Sequence, residues 1–412
     1  MKRLIVLLIL LYSYLSYGIT LHELIETAYS KNPELKSIQH RLKAIKERAI
    51  FESSLTDPIV SLSINDIQFD NPFKRNIEPM QTVMFTISQV FPYKGKLDLK
   101  KNIYLKLYDE TFYKLLEKKL KFELKIKTLS YEYWFLKESL KILDQYKKVL
   151  KQIIKISQTL YSVGKAPQSD VLNSHIYLTD ILEEEIVIKN RQKVIKTNIE
   201  RIINDKLESD IQIDLPEPKP ITNLKLLREE ILQYNPQLKI IEKQLEKNRI
   251  QLKLAKKDYY PDFRGFFSYA YRDDFNDYIS FGVSFNIPLW KKNRQDKKVL
   301  EIQYIKNSIE KKYKDKLIEL FSLLEENYIQ CKNSYEVYQI LEQTLLKQSL
   351  QNFSSVVSEY KVGKRDMLTV LTALKKIISV ERMKLKQIYL WNKYYANIQY
   401  ITGKSLIRGI SK

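Results

Sequence analysis

The stretch Tyr278-Ile279-Ser280-Phe281-Gly282-Val283-Ser284-Phe285-Asn286-Ile287 alternates apolar and polar residues without a break. In an extended chain Ile279, Phe281, Val283, Phe285 and Ile287 fall on one side, and the small or polar residues between them fall on the other. Three more segments follow the same rule. Val60, Leu62 and Ile64 alternate with Ser61, Ser63 and Asn65; Val83, Phe85 and Ile87 alternate with Thr82, Met84, Thr86 and Ser88; Phe263–Tyr271 is a noisier version. A half-buried sheet in a soluble protein alternates in the same way, so the pattern alone decides nothing. Length and flanks carry it further. Each run is about 10 residues, the reach of a tilted membrane strand, with Phe69, Phe73, Phe91, Tyr93, Tyr271 and Trp290 near the ends. Pro58, Pro92, Pro261 and Pro288 mark the boundaries, giving expected strands at about 58–70, 81–92, 261–272 and 277–288. The loops inside each pair, Asp70–Pro79 and Arg272–Asp277, are short and polar.

Outward from the strands the chain is helical. No Gly or Pro occurs between Leu97 and Val163, nor between Leu289 and Val362. Helix breakers are therefore absent for about 70 residues each time, roughly 100 Å at 1.5 Å per residue. Alternating steps of three and four from Leu105 meet Tyr108, Phe112, Leu115, Lys119, Phe122, Ile126, Leu129, Tyr133, Leu136, Leu140, Leu143, Lys147, Leu150 and Ile154. Only the two lysines break this coiled-coil seam. A shorter seam runs through Leu317, Leu320, Leu324, Tyr328, Cys331, Tyr335 and Tyr338. Leu116, Leu120, Trp134, Ile142, Val149 and Ile153 lie off the first seam, so each helix is expected to touch more than one neighbour. Shorter helices are expected at roughly 21–53, 168–206, 223–258 and 365–401.

The two long helices belong to two similar halves. Asn32-Pro33-Glu34-Leu35-Lys36 recurs as Asn235-Pro236-Gln237-Leu238-Lys239, and Pro58 recurs as Pro261, both at an offset of 203. Tyr161-Ser162-Val163-Gly164-Lys165 recurs as Tyr360-Lys361-Val362-Gly363-Lys364 at 199, and Pro92 as Pro288 at 196. Four anchors in one order indicate a tandem duplication. Leu215-Pro216-Glu217-Pro218-Lys219-Pro220 joins the halves and cannot continue a helix. The expected layout is a first repeat at 19–215, a linker at 216–222, a second repeat at 223–403 and a tail at 404–412.

Composition narrows the function. The 412 residues include 70 Lys+Arg and 49 Asp+Glu, a net charge of +21, with 44% hydrophobic and 12% aromatic residues, which excludes a disordered chain. Eight Gly, 3 His and 1 Cys leave no intrachain disulfide, no zinc cluster and few places for a histidine base. No enzyme, cofactor or metal site is expected; His22, His40 and His175 are scattered and read as surface or interface residues. Lys2 and Arg3, the apolar run Leu4–Leu11, and Ser16 and Gly18 before Ile19 read as a secretory signal over 1–18. The alternative, an N-terminal anchor, is far short of the roughly 20 residues that span a bilayer. No later segment is an apolar 18-mer, so any further membrane crossing must use strands.

Four strands cannot close a barrel, and an open edge in lipid leaves backbone amides unpaired at several kcal/mol each. If the strands span a membrane, copies must combine. Eight strands give an interior filled by side chains, whereas twelve leave room for a lumen, so a pore favours three copies.

The Asn-Pro-x-Leu-Lys repeats, the proline-bounded strand pairs and the two Val-Gly-Lys turns, followed by Val171-Leu172 and Val370-Leu371, together resemble the TolC family of outer-membrane efflux and secretion channels. The resemblance covers about 19–403. It implies a mainly α protein with a membrane β-barrel: a homotrimer whose twelve-stranded outer-membrane barrel stands on a periplasmic α-helical tunnel. It further implies a channel without an energy source, in contact with outer-membrane lipid, a periplasmic adaptor (membrane fusion protein) and an inner-membrane RND or ABC transporter. The resemblance places the turns at Gly164 and Gly363 at the periplasmic tip. It implies a latch there, in which Tyr360 and Arg365 hold Asp170, with Ser169 as an extra acceptor. Such a charge-assisted contact is directional and can be broken by a competing partner. The plainer alternative is that Asp170 and Ser169 cap the helix after Pro167. Members of the family often carry two Asp residues on the second-half helix; here Thr369 and Thr372 stand at those positions, and Asp366 is out of register. A neutral tip constriction at Thr369 and Thr372 is expected.

Two rivals remain. A periplasmic coiled-coil adaptor or scaffold would have one helical hairpin and Gly-rich β domains, unlike two equivalent halves with little Gly. A nucleic-acid-binding protein is suggested by the charge, but Lys is interleaved with Glu along every helix, as in Glu117-Lys118-Lys119 and Glu310-Lys311-Lys312, which reads as a solvated face. No nucleic-acid partner is expected. The transported compound and the pump are not legible.

Overall fold

The computed structural model describes residues 18–221 and 223–404. The expected signal, except Gly18, and the tail beyond Lys404 lie outside the described residues.

The chain runs β1 (Ile19–Thr20), α1 (Leu21–Lys31), α2 (Pro33–Ser53), β2 (Ile59–Asn65), β3 (Thr82–Phe91), α3 (Lys96–Ser162) and α4 (Gln168–Ile203). The order then repeats with β4 (Ile211–Gln212), α5 (Leu224–Tyr234), α6 (Pro236–Lys257), β5 (Phe263–Tyr271), β6 (Tyr278–Phe285), α7 (Gln295–Ile340), α8 (Leu346–Lys361) and α9 (Met367–Thr402). These elements form two compact units, each drawing on both halves of the sequence. One takes in the described residues up to Ser37, Leu115–Pro236 and Leu317 onwards; the other is Ile38–Lys114 with Gln237–Lys316.

The second of these units holds the sheet, in the order β2-β3-β5-β6 and antiparallel throughout. Register places Leu62, Phe85, Tyr269 and Ile279 in one row and Val60, Ile87, Phe267 and Phe281 in the next. The intervening row is Ser61, Thr86, Ser268 and Ser280, in which the Thr86 and Ser268 hydroxyls lie 2.8 Å apart. Opposite residues share a face, so the sheet has one apolar face and one mixed face that carries this Ser/Thr row together with Met84, Phe266 and Tyr278. The apolar face is uncovered: Leu62 is 71% exposed and Phe281 84%. The strands are shorter than expected at 58–70 and 277–288. β2 stops at Asn65 because Asp66 turns the chain with a φ of 56°, and β6 stops at Phe285, before Asn286 accepts the backbone N–H of Asp262 at 2.6 Å.

In the first unit the seam on α3 is buried through Leu115, Ile126, Tyr133, Leu136, Leu143, Leu150 and Ile154. A second line packs beside it, using Leu120, Tyr146 and Ile153 with the small Ser130, Ser139 and Ser157. Leu320, Leu324, Cys331 and Tyr338 continue the core on α7. Burial pushes the Cys331 thiol up to about 12, so it stays protonated and packed. The proline linker is pinned to α9, where the Trp391 indole N–H donates to Lys219 O at 3.1 Å and the Asn392 amide donates to Pro216 O at 2.8 Å.

The helices expected at 21–53 and 223–258 are each two helices, broken at Asn32 and Asn235. A proline ring disfavours the helical region for the residue before it and supplies no N–H, and Asn32 duly sits at ψ 123° and Asn235 at ψ 119°. Each Asn turns the break into a joint. Asn32 donates to Ile202 O at 2.8 Å and accepts from Glu34 N at 2.9 Å; Asn235 donates to Ile401 O at 2.7 Å. The helix expected from 289 starts at Gln295, after a 3₁₀ turn at Lys291–Asn293, and passes through a π-turn at Leu341–Leu345. Up to Leu341 the buried stripe advances by threes and fours; from Leu341 it passes the half-buried Leu345 to the buried Ser349 in steps of four. The wider π-turn keeps that stripe on one side.

Candidate functional site

The candidate site lies in the first unit, at the turns α3–α4 and α8–α9. Each long helix ends in the same way. Gly164 and Gly363 adopt φ of 71° and 76°, and their N–H groups donate to Tyr161 O and Tyr360 O at 3.0 and 2.9 Å. Lys165 N and Lys364 N reach back to Leu160 O and Glu359 O at 2.8 and 2.9 Å. This is the Schellman arrangement, which needs a left-handed residue at the glycine position. The Val-Gly-Lys repeat is thus a helix stop written twice. A Cβ added at either glycine would meet nothing within 4 Å.

Across the two turns the Tyr360 hydroxyl donates to an Asp170 carboxylate oxygen at 3.2 Å. Both side chains are buried. Burial holds the Asp170 carboxyl above the usual carboxylate range; the Tyr360 bond opposes that rise and the charge of Asp366 adds to it. The Tyr360 phenol is likewise pushed up, by burial and by Asp170.

The other expected site residues are placed differently. Arg365 is drawn to Glu359 at 2.6 Å, within its own exposed turn, and makes no bond to Asp170. Ser169 is exposed. The capping alternative does not hold: the residue before α4 is Pro167, no side chain caps that end, and Asp170 faces Tyr360 instead. Asp366 is the capping residue of α9, accepting from Thr369 N at 2.7 Å and from the Thr369 hydroxyl at 2.6 Å. Thr372 is exposed and donates to Leu368 O at 2.8 Å. Pro58, Pro92, Pro261 and Pro288 flank the strands of the other unit.

Sequence reasoning missed a buried ionic cluster on α3. Lys127 and Glu123 pair at 2.7 Å with both side chains almost fully enclosed; Lys127 also donates to the Gln399 amide oxygen at 2.8 Å, and the Tyr29 hydroxyl donates to Glu123 at 3.0 Å. Burial pushes the Lys127 ammonium below its ordinary range. The available signal was an i,i+4 Glu–Lys pair just off the apolar seam. His22, His40 and His175 are exposed, and no group of His, Cys, Asp or Glu among the described residues could hold a metal ion. No described helix is long and apolar enough to cross a membrane.

Residues 227–404 match the family model described as outer membrane efflux protein. No curated protein matches the chain in sequence. Among solved structures, the chain is similar to the outer membrane protein VceC from Vibrio cholerae, with a TM-score of 0.77 and 14% identity over 94% of this chain and 97% of that one. It is also similar to the CmeC outer membrane channel of Campylobacter jejuni, with a TM-score of 0.75 and 15% identity over 93% and 85% of the two chains. The open state of the Neisseria gonorrhoeae MtrE outer membrane channel gives 0.73 and 13% over 94% and 90%. The chain thus shares the fold of these outer-membrane channels, and its residues 227–404 resemble the outer membrane efflux protein family.

Proposed function

We propose that three copies of this chain close one barrel in the outer membrane and form a passive exit duct from the periplasm. The observation that carries this reading is the sheet: four amphipathic strands, an uncovered apolar face, and edges at β2 and β6 with no partner among the described residues. In lipid those edges require neighbours. Twelve strands satisfy them and leave a lumen lined by the face that carries Ser61, Thr86, Ser268 and Ser280. The residues from 19 to 215 and from 223 to 403 act as equivalent halves of each subunit. The duct itself consumes no fuel. It works in a tripartite efflux or type I secretion system, taking its cargo from a periplasmic adaptor and an inner-membrane pump of the RND or ABC kind.

The gate is at the Val-Gly-Lys turns. Tyr360 holding Asp170 keeps the tip closed, and an adaptor that offers Asp170 or Tyr360 another partner opens it. Arg365 reinforces the latch by exchanging Glu359 for Asp170, and Thr369 and Thr372 line a constriction without fixed charge. An adaptor or scaffold living wholly in water is disfavoured by the same sheet, which would expose Phe281, Val283 and Phe285 to solvent.

Single-channel recording of the purified protein in planar bilayers tests both levels. The duct reading expects a small resting conductance in the wild type and a larger one in Tyr360→Phe. Absence of any conductance overturns the duct; identical conductance in the two proteins overturns the gate alone.

A further inference from the structure

The two halves differ at one informative place, within the unit that holds the sheet. Pro92 is followed by α3 at Lys96, whereas Pro288 is followed by α7 only at Gln295. The three extra residues match the 3₁₀ turn Lys291–Asn293. Immediately before that turn, Ile287, Leu289 and Trp290 are 71%, 75% and 76% exposed. Lys291, Lys292, Arg294 and Lys297 are exposed and form no ion pair among the described residues. Several other lysines of this unit are paired. Lys96 pairs with Asp258 and Asp262 at 3.1 and 3.0 Å, Lys247 with Glu110 at 2.6 Å, and Lys298 with Glu301 at 2.9 Å. The acid inside the cluster, Asp296, is engaged by the Tyr259 hydroxyl.

Strand register fixes where this cluster lies. Phe263 pairs with Phe91 on one side and Phe285 on the other, so the chain past Phe285 leaves the sheet at the end where Tyr93 stacks on Tyr260 at 4.5 Å. The opposite end carries the turns 66–81 and 272–277. There Asp66, Asp70, Glu78, Asp273, Asp274 and Asp277 outnumber Lys74, Arg75 and Arg272. The sheet is therefore electrically polarised along its strands, cationic where the helices begin and anionic at the turns.

We propose that segment 286–298 docks the headgroups of anionic phospholipids in the leaflet at the helix end of the sheet. This rests on the reading of the sheet as membrane-spanning. Trp290 sits at the headgroup level, where an indole is favoured because one side of it is apolar and its N–H is polar. Ile287 and Leu289 enter the acyl boundary beside it. Lys291, Lys292 and Arg294 meet the phosphates, with the Arg294 fork able to bind two oxygens at once. Lipid is the source of the phosphate rather than a dissolved anion because the cations adjoin three exposed apolar side chains, which a free anion would leave in water. Basic segments next to a bilayer are attracted in proportion to its anionic content, and salt screens that attraction.

The test compares the full-length protein in vesicles of phosphatidylethanolamine alone and with added phosphatidylglycerol, reading the thermal unfolding midpoint and, by native mass spectrometry, the lipid retained. The variant Lys291→Gln/Lys292→Gln/Arg294→Gln is set against Lys74→Gln/Arg75→Gln at the other end of the sheet. Anionic lipid should raise the midpoint of the wild type and of the second variant, and the triple variant should retain at least roughly tenfold less of it. An undiminished gain in the triple variant overturns the proposal, as does an equal gain from inorganic phosphate in detergent. A protein that inserts and conducts but ignores lipid charge sinks this proposal alone. One that enters neither kind of vesicle sinks the channel reading and this proposal with it.

Discussion

At the scale of single residues, the contact that matters most is a phenol against a carboxylate. Tyr360→Phe leaves the Asp170 charge buried without its donor, which should cost the closed tip about 1–3 kcal/mol and raise the resting conductance several-fold. The direction of the pH response follows from linkage. The Asp170 carboxyl lies above its ordinary value when buried, so in the proposed gate a closed tip would bind a proton more tightly than an open tip with a solvated Asp170. Closure is therefore favoured as pH falls into the window between the ordinary aspartate range and the raised value, and weakens as pH rises through that window. The charged or titratable groups bearing on it are Tyr360 and Asp366; Asp366 is fully exposed and held ionised by its bonds to Thr369. Conductance recorded across that window should fall on acidification in the wild type and stay flat in Asp170→Asn. A wild-type conductance that rises on acidification would refute this. The Asp170–Tyr360 meeting was implied by the family resemblance that the two turns carry. The place of Arg365 was not, because in a solvated turn a carboxylate six residues away competes on equal terms.

At the scale of elements, the joints carry information that periodicity does not. Helix content could be read from the absence of breakers, yet the breaks at Asn32 and Asn235 were overlooked although Asn-Pro stood in the sequence as a repeat marker. Their role is tertiary: each amide holds the last turn of α4 or α9. Asn32→Ala should lower stability by about 1–3 kcal/mol by orphaning a helix cap and a buried carbonyl, seen as a drop in the unfolding midpoint in detergent. Glycines at helix ends offer a contrast. Gly403 has a φ of 77° and its Cβ position lies 2.6 Å from Tyr234 O, whereas Gly164 has a similar φ and open space. Gly164→Ala should cost only the left-handed strain, about 1 kcal/mol, and Gly403→Ala clearly more. Equal losses in the two variants would show that the clash at Tyr234 is relieved by local movement. On α3, Lys127→Met should destabilise by about 3–5 kcal/mol by removing the cation from buried Glu123, while Glu123→Leu/Lys127→Met should recover most of that loss. Heptad counting could not find this pair, because a buried charge is tolerated only when its partner is in place, and the partners Gln399 and Tyr29 are remote in sequence.

At the scale of the whole molecule, the alternation in 278–287 already contained the decisive statement. The sheet has one exposed apolar face and two edges that lack partners among the described residues. Strand number and facing were legible because a period of two admits only one assignment of side chains to faces. What sequence could not supply was the strand order β2-β3-β5-β6 across the two halves, since pairing between distant segments leaves no local mark. The most direct test is the mass of the detergent-solubilised complex by native mass spectrometry after the micelle is stripped. Three chains, with twelve strands sealed edge to edge, is the result expected here. A homogeneous single chain that stays folded without detergent would contradict it.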